Sequence, residues 1–286
     1  MRYVIIGVLH CTILSTTAAI AGSADSSSIA YNCALITAQR WHEKTFGALV
    51  AMVAQLFIGK PYVAGTLDTS SVEQCRFTAD GFDCVTLVES ALALARVAER
   101  RECTYERFLH ELQRIRYRGG KLDGYLSRLH YTSEWISDNY SKGIVENITD
   151  RVGGQPIRKT LDFMSTHPHL YRQLRDSSAL VPRLALIERR LSRRPLYIVP
   201  TARITAASAK IQSGDIIAIA TSKPGLDYTH VGIALRSQGK LGLIHASSKS
   251  GKVFFEQSLE DYVRSYPNAI GITVARPLAS PVTPSR

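Results

Sequence analysis

Apolar positions recur at helical spacing through the first half of the chain. Residues 36–58 show this spacing and predict one or two helices. The pattern is clearest over residues 84–100, which contain no Gly or Pro, and Asp83 stands where a helix N-cap is expected. Residues 104–115 predict a further helix, capped by Thr104.

The last third of the chain has a different pattern. Five short segments rich in β-branched residues are separated by turn residues, at 215–221, 229–235, 241–247, 252–257 and 270–276. A short helix is predicted to open at Ser258, before the last of them. Helices followed by antiparallel strands indicate the α+β class, with helices packed on a C-terminal antiparallel sheet.

Two segments in the middle of the chain are less regular. Residues 125–139 are aromatic and polar, and their periodicity is ambiguous. Residues 165–194 are helical and basic, and Pro182 either interrupts this segment or starts a second helix. Such a basic face is typical of solvated surface, and a specific ligand role is the less favoured alternative. Its arginines are Arg172, Arg175, Arg183, Arg189, Arg190, Arg193 and Arg194.

The N-terminus has the outline of a targeting segment. Arg2 precedes an apolar run that reaches Leu14, and small residues follow at 19–24. We interpret residues 1–24 as a secretory signal peptide, with a buried N-terminal helix as the alternative. A lipid anchor at Cys11 is disfavoured, because His10 is bulky where a small residue is expected. No other run approaches the ~20 apolar residues of a membrane span, so an exported, periplasmic or extracellular protein is predicted.

Charge and cysteine content narrow the classes of partner. The chain carries 35 Lys and Arg against 24 Asp and Glu, a net charge of +11, which favours an anionic partner. Export makes nucleic acid the poorest choice of partner; the alternative is that the charge only aids solubility.

Four cysteines lie beyond the signal segment: Cys33, Cys75, Cys84 and Cys103. The sequence leaves their pairing open. Without a Cys-x-x-Cys pair, a structural zinc site is not expected.

Cys84 is the strongest candidate for a nucleophile. It begins the predicted 84–100 helix, directly after a turn that contains Gly81. A helix N-terminus and an adjacent imidazolium both lower the pKa of a thiol, and amide N–H groups there can bind an oxyanion. The alternative is that Cys84 is a small apolar residue of the core.

Two histidines lie on consecutive predicted strands. A two-residue turn at Gln238-Gly239 pairs residue 237 with residue 240. This register places His245 on the same face as His230, one diagonal step away. His230 would then be the general base and His245 the residue that orients its ring. Each histidine alone could equally be a satisfied core residue.

These blocks together resemble the DUF1460 family, an N-acetylmuramoyl-L-alanine amidase-like branch of the NlpC/P60 papain-like superfamily. The resemblance covers roughly residues 35–277 and implies a papain-like core with family-specific insertions. Val85 stands where the superfamily usually has Ser, a departure that suits this branch. The matching strings are KPYVAGTL at 60–67, GFDCVTLVE at 81–89, SRLHYTSEW at 127–135, THVG at 229–232 and IHASS at 244–248.

The resemblance also implies roles for individual residues. Cys84, His230 and His245 are expected to be catalytic, and Tyr62 is expected to hydrogen-bond near the nucleophile and to help the oxyanion site. A packed aromatic is the alternative for Tyr62. The expected substrate contacts are Tyr62, Asp83, Arg128, His130, Tyr131 and Trp135.

The expected organisation is a signal peptide at 1–24, one catalytic domain at 25–280 with an insertion at about 119–200, and a loose tail at 281–286. The expected activity is cleavage of the N-acetylmuramoyl-L-alanine amide in peptidoglycan or a muropeptide, without cofactor or metal and without nucleic acid. A stem-peptide endopeptidase, an acyl transferase and a non-catalytic wall-binding module are the alternatives. The oligomeric state stays open.

Overall fold

The computed structural model describes residues 13–281, with side chains from residue 24 onward. The start of the predicted signal peptide and residues 282–286 of the predicted tail therefore lie outside the described residues. The helices are α1 Ile13–Ala38, α2 Phe46–Gln55, α3 Cys84–Glu99, α4 Tyr105–Arg116, α5 Thr132–Ser141, α6 Phe163–Thr166, α7 Arg172–Asp176, α8 Leu180–Ser192, α9 Ile204–Ser208 and α10 Leu259–Ser265. The strands are β1 Val145–Asn147, β2 Gln155–Ile157, β3 Leu196–Pro200, β4 Ile216–Thr221, β5 Tyr228–Ser237, β6 Lys240–Ser247, β7 Lys252–Glu256 and β8 Ala269–Pro277.

The described strands form an antiparallel sheet in the order β2-β3-β8-β4-β5-β6-β7, and β1 also pairs with β8. The five strands predicted in the last third are β4 to β8, so the α+β prediction is confirmed. Strands β1, β2 and β3 were missed because they have only three to five residues each, too few to show a period. All three lie between α5 and α9 in the chain.

The hairpin of β5 and β6 has the predicted register. Ser237 pairs with Lys240, and the pairing continues to Ile233 opposite Ile244. Gln238 and Gly239 both have positive φ, 50° and 78°, as a tight two-residue hairpin turn requires. Because side chains alternate along a strand, this register puts His230 and His245 on one face of the sheet.

Helix α3 is the central helix of the main core. Leu87, Ala91 and Leu94 are fully buried, and the helix packs against α2, α4 and strands β5 and β6. Its length of 16 residues and its start at Cys84 are close to the predicted 84–100. The apolar face therefore holds the first turn of α3 against the sheet that carries both histidines.

Helix α1 runs through the predicted cleavage region at 19–24. Its C-terminal part packs on the core, with Ile29 and Ile36 buried. Cys33 on α1 forms a disulfide with Cys103, at a Cα–Cα distance of 5.8 Å. Within the described residues, Cys75 and Cys84 remain free thiols. None of the described helices has both the length and the apolar character needed to cross a bilayer.

The irregular middle of the chain consists of short helices and turns. Residues 125–139 contain a 3₁₀ turn at Tyr125–Ser127 and then α5. The basic segment is split into α6, α7 and α8, and Pro182 falls in the first turn of α8, where its missing N–H costs nothing. This region has an apolar cluster of its own, formed by Tyr125, Leu126, Tyr131, Leu161, Met164, Leu174, Leu184 and Leu191.

Candidate active site

Cys84 is the first residue of α3, and its position is fixed by a complete N-terminal cap. One carboxylate oxygen of Asp83 accepts hydrogen bonds from the backbone N–H groups of Val85 and Thr86, at 3.0 and 2.8 Å. The Thr86 hydroxyl in turn accepts from the Asp83 N–H at 2.9 Å. This capping box holds the thiol at the helix mouth, as the sequence predicted.

The two histidines form a direct pair. His230 Nε2 and His245 Nδ1 are 2.8 Å apart, and the two rings meet edge to face. Tyr266 stacks on the His230 ring at 5.5 Å between centroids. Tyr262 packs against His245 at 4.6 Å. These contacts leave Nδ1 as the His230 nitrogen that is available to another group.

Cys84 and His230 line the same cleft, which has a volume of about 190 Å³. His130 and Tyr131 line it as well. His230 also borders a wider cleft of about 850 Å³ between β6, β7 and α10. The nucleophile candidate and the base candidate therefore line one cleft, and the base candidate also borders the second.

The surroundings of Cys84 favour the protonated form of its thiol. Burial raises its pKa to about 12, and the neighbouring Asp83 carboxylate adds to the rise. Backbone N–H groups of Val231, Cys84 and Val85 lower the pKa but do not outweigh burial. The helix N-terminus alone therefore does not produce the thiolate that the sequence suggested, and the thiol must lose its proton during attack.

Both imidazoles are neutral at physiological pH. Burial lowers the pKa of His230 to about 3, and His245 beside it lowers it further; burial alone lowers the pKa of His245 to about 4. A neutral imidazole can accept a proton, so His230 suits a general base. These pKa shifts favour a neutral thiol and a neutral base over a thiolate–imidazolium pair.

These buried imidazoles should make the protein sensitive to mild acid. An unfolded histidine binds a proton near pH 6.5, whereas folded His130, His230 and His245 resist protonation down to a pKa of about 3 or 4. The unfolded state therefore binds more protons between these values, and the free energy of unfolding falls as pH falls from 6.5 toward 4. Each residue contributes up to about 1.4 kcal/mol per pH unit.

The measurement is Tm at pH 7 and at pH 5. Burial raises the pKa of Asp227, so this residue stabilises the fold as pH falls. Its contribution is the same in every variant compared and does not affect the differences in Tm. Between pH 7 and pH 5, Tm should fall less in His245→Asn than in the wild type. The difference should be about 2–4 °C for each kcal/mol of pH-dependent stability that His245 contributes. Exposed His169 supplies the matched control, since His169→Asn should keep the full fall. Equal falls in all three proteins would contradict the buried, neutral state of His245.

Tyr62 lies near the candidate nucleophile. It is half-buried and forms an isolated parallel β-bridge with Phe82, which lies two residues before Cys84. Burial raises its pKa, and the proximity of Cys84 and Asp83 adds to the rise, so its hydroxyl keeps its proton and can donate. Its position is compatible with the predicted oxyanion role, which stays a prediction.

Most candidate substrate contacts in residues 127–135 already form ion pairs or hydrogen bonds with other residues of the protein. Arg128 pairs with Glu73 and Asp68 at 2.8 and 2.9 Å. The Tyr131 hydroxyl donates to Glu188 and Trp135 Nε1 donates to Glu89. These internal partners lie far away along the chain, so no local pattern predicted them. His130 has fewer internal partners. Its Nε2 hydrogen-bonds with the Tyr125 carbonyl at 2.9 Å, and it lines the same cleft as Cys84.

Several residues of this site were missed by the sequence analysis. Tyr262 and Tyr266 contact the histidine pair, and Glu256 lies beside His245. Tyr262 lies on α10, and Tyr266 directly follows the last residue of that helix. Glu256 was not indicated, because its approach to His245 depends on the register across the four-residue connection between β6 and β7.

The described residues thus form an α+β protein in which a cysteine at a helix N-terminus lines the same cleft as one member of a histidine pair. The chain matches the N-acetylmuramoyl-L-alanine amidase-like (AmiA-like) family model over residues 52–272, and it belongs to this family. The predicted N-acetylmuramoyl-L-alanine amidase-like family is confirmed, while the DUF1460 branch and the NlpC/P60 superfamily stay predictions.

Solved structures give the same fold. A Bacteroides uniformis N-acetylmuramoyl-L-alanine amidase is 35% identical, with 81% of this chain and 98% of that chain covered and a TM-score of 0.75. A Bacteroides fragilis protein named as a candidate xylanase is 39% identical, with 79% and 99% covered and a TM-score of 0.73. The Legionella pneumophila protein LPG0564, described by a DUF1460 family model, shares the fold at 22% identity, with 90% and 97% covered and a TM-score of 0.68. No curated protein matches the chain.

Proposed function

We propose that this protein is a cysteine amidohydrolase that cleaves the amide between the lactyl group of N-acetylmuramic acid and L-alanine. The observation that carries the proposal is the shared cleft of Cys84 and His230, with His230 Nε2 held by His245. Membership of the amidase-like family supports the choice of bond. The name of the Bacteroides uniformis relative supports it as well.

The first half of the reaction forms a thioester. His230 Nδ1 takes the Cys84 proton as the sulfur attacks the lactyl carbonyl carbon, and the carbonyl oxygen becomes an oxyanion. The Cys84 N–H and the Tyr62 hydroxyl are the nearest candidates to donate to that oxyanion. The C–N bond then breaks, and the proton on His230 passes to the leaving amine of L-alanine.

The second half consumes water. His230 Nδ1 takes a proton from a water molecule, whose oxygen attacks the thioester carbonyl. The C–S bond breaks, and the sulfur recovers its proton from His230. The products are a free lactyl carboxylic acid on the sugar and a stem peptide with a free N-terminal amine.

The wider setting follows from the same proposal. A papain-like NlpC/P60 core at residues 25–280, with an insertion at about 119–200, would act on peptidoglycan or muropeptides after export by the segment at 1–24. The net charge of +11 suits an acidic, peptide-bearing glycan. His130, which lines the cleft with a free ring nitrogen, is the strongest of the proposed substrate contacts.

The thiol mechanism can be tested with inhibitors, using release of the L-alanine amine from a muropeptide as the assay. Iodoacetamide should abolish activity, whereas EDTA should not. Because burial raises the pKa of the Cys84 thiol to about 12, alkylation should be slow at pH 7. It should accelerate about tenfold per pH unit, since the thiolate fraction grows by that factor below the pKa.

A Cys75→Ala background removes the other free thiol of the described residues and makes the labelling specific. Substrate should protect Cys84 from alkylation in this background. Loss of activity with EDTA, restored by zinc, would instead indicate a metal-dependent amidase and would overturn the thiol mechanism.

A further inference from the structure

One nitrogen of the histidine pair has no hydrogen-bond partner. The His245 side chain is fully buried, and its Nε2 makes no hydrogen bond with any described residue. The nearest charged atom is Oε1 of Glu256, at 3.7 Å. This distance is longer than a hydrogen bond, but a carboxylate charge there still attracts an N–H group on Nε2. A buried polar nitrogen that faces a single carboxylate needs an explanation.

The other nitrogen of His245 decides where the ring proton lies. His245 Nδ1 is 2.8 Å from His230 Nε2 and 3.5 Å from the Tyr262 hydroxyl. Burial raises the pKa of Tyr262, so this hydroxyl keeps its proton and can donate it to Nδ1. When Nδ1 accepts from both neighbours, the proton of neutral His245 must be on Nε2, facing Glu256.

The alternative tautomer would disable the proposed base. If His245 carried its proton on Nδ1, it would donate to His230 Nε2, and neutral His230 would then carry its own proton on Nδ1. That nitrogen could no longer take the Cys84 proton. The state of His245 therefore controls whether His230 can act, although His245 never touches the substrate.

We propose that Glu256 is a positioning residue that selects the Nε2-protonated form of His245 and so keeps Nδ1 of His230 free as the base. The proposal rests on the proposed function for the role of His230. It adds a carboxylate to the expected cysteine and two histidines, in the order Cys84, His230, His245, Glu256. No proton has to reach Glu256; its charge holds the His245 proton where it is and favours the cation that forms on His230.

The sheet explains how Glu256 reaches this place. Leu243 on β6 pairs with Glu256 on β7, and His245 pairs with Phe254. Glu256 is therefore a diagonal neighbour of His245 on the same face. Among the described residues it makes no other ion pair, although Lys240, Lys249 and Asp261 line the same cleft. Within the described residues, His245 is therefore the one charge partner of the Glu256 carboxylate.

The first test is steady-state kinetics of Glu256→Ala and Glu256→Gln on a muropeptide. We expect Glu256→Ala to lower kcat by about 10- to 100-fold with KM changed by less than about twofold, the range found for residues that orient a functional histidine. Glu256→Gln should lose less, because its amide oxygen can still accept from His245 Nε2. Glu260→Gln is the matched control, since Glu260 pairs with Arg264 away from the histidines, and it should match the wild type.

The second test does not depend on activity. Nitrogen-15 NMR of histidine-labelled protein separates protonated from unprotonated ring nitrogens, and the His245→Asn spectrum assigns the His245 signals. We expect a protonated Nε2 and an unprotonated Nδ1 in the wild type and in Glu260→Gln, and a mixture of tautomers in Glu256→Ala. A merely structural role for Glu256 would not change the tautomer.

The outcomes separate this proposal from the proposed function. A wild-type His245 protonated on Nδ1, or a folded Glu256→Ala variant with unchanged kcat, overturns the role of Glu256 while amide cleavage stands. A large rise in KM with kcat retained would make Glu256 a substrate contact and would also overturn it. If the wild type releases no L-alanine amine, the proposed function fails, and the NMR result still decides the tautomer.

Discussion

Replacing Cys84 by alanine should lower the rate of muropeptide amide cleavage by about 10,000-fold or more, which removes activity in any ordinary assay. The reason is that, among the described residues, no other thiol lines this cleft and could form the thioester. Turnover is measured as the release of the L-alanine amine by purified variants, with folding checked by circular dichroism.

Cys75→Ala is the matched control for this variant. Cys75 is the second free thiol and is also partly buried, but it lines a different cavity, beside Phe77 and Arg116. Its removal should leave the rate within about twofold of the wild type, as expected for a site remote from the chemistry. A folded Cys84→Ala protein with normal turnover would place the active site elsewhere.

Replacing His230 by alanine should cost as much as Cys84→Ala, because a nucleophile and its base act as a unit. The double variant should therefore be no slower than either single variant. His245→Gln should lose less, about 10- to 1,000-fold, since glutamine can still accept from His230 Nε2.

The same turnover assay ranks the histidine variants. His130→Gln gives a comparison with another buried imidazole, which lines the cleft but is not assigned to proton transfer; its expected effect is mainly on KM. If His245→Gln is as inactive as Cys84→Ala while His230→Ala retains turnover, the roles of base and orienting residue are reversed.

Local signals explain what the sequence could predict. The helix that begins at Cys84 has an N-cap, an unbroken apolar face and no Gly or Pro, so its start could be placed to the residue. The hairpin at Gln238-Gly239 allows a single favourable turn, and this turn fixed the register that brings His230 and His245 together. Where a short-range rule determines geometry, the prediction held.

The remaining features depend on contacts between distant segments. The disulfide of Cys33 with Cys103, the pairing of Arg128 with Glu73 and the approach of Glu256 to His245 each join separate elements. The pKa of Cys84 shows the same limit: the helix start predicted a lower value, but burial, which only the folded chain defines, raises it. The fold class, the place of Cys84 at a helix start and the histidine pair were accessible from the sequence, whereas the electrostatics around them were not.

The central claim is that Cys84 attacks the lactyl carbonyl, and hydrolysis in water enriched in oxygen-18 tests it most directly. A muropeptide with an intact N-acetylmuramoyl-L-alanine bond is incubated with the wild type and with Cys84→Ala, and the products are analysed by mass spectrometry. We predict one oxygen-18 atom in the lactyl carboxylate of the sugar, an unlabelled stem peptide with a free L-alanine amine, and no products from Cys84→Ala. Oxygen-18 within the stem peptide would indicate an endopeptidase, and oxygen-18 at a sugar reducing end would indicate a glycoside hydrolase; either result would contradict the account.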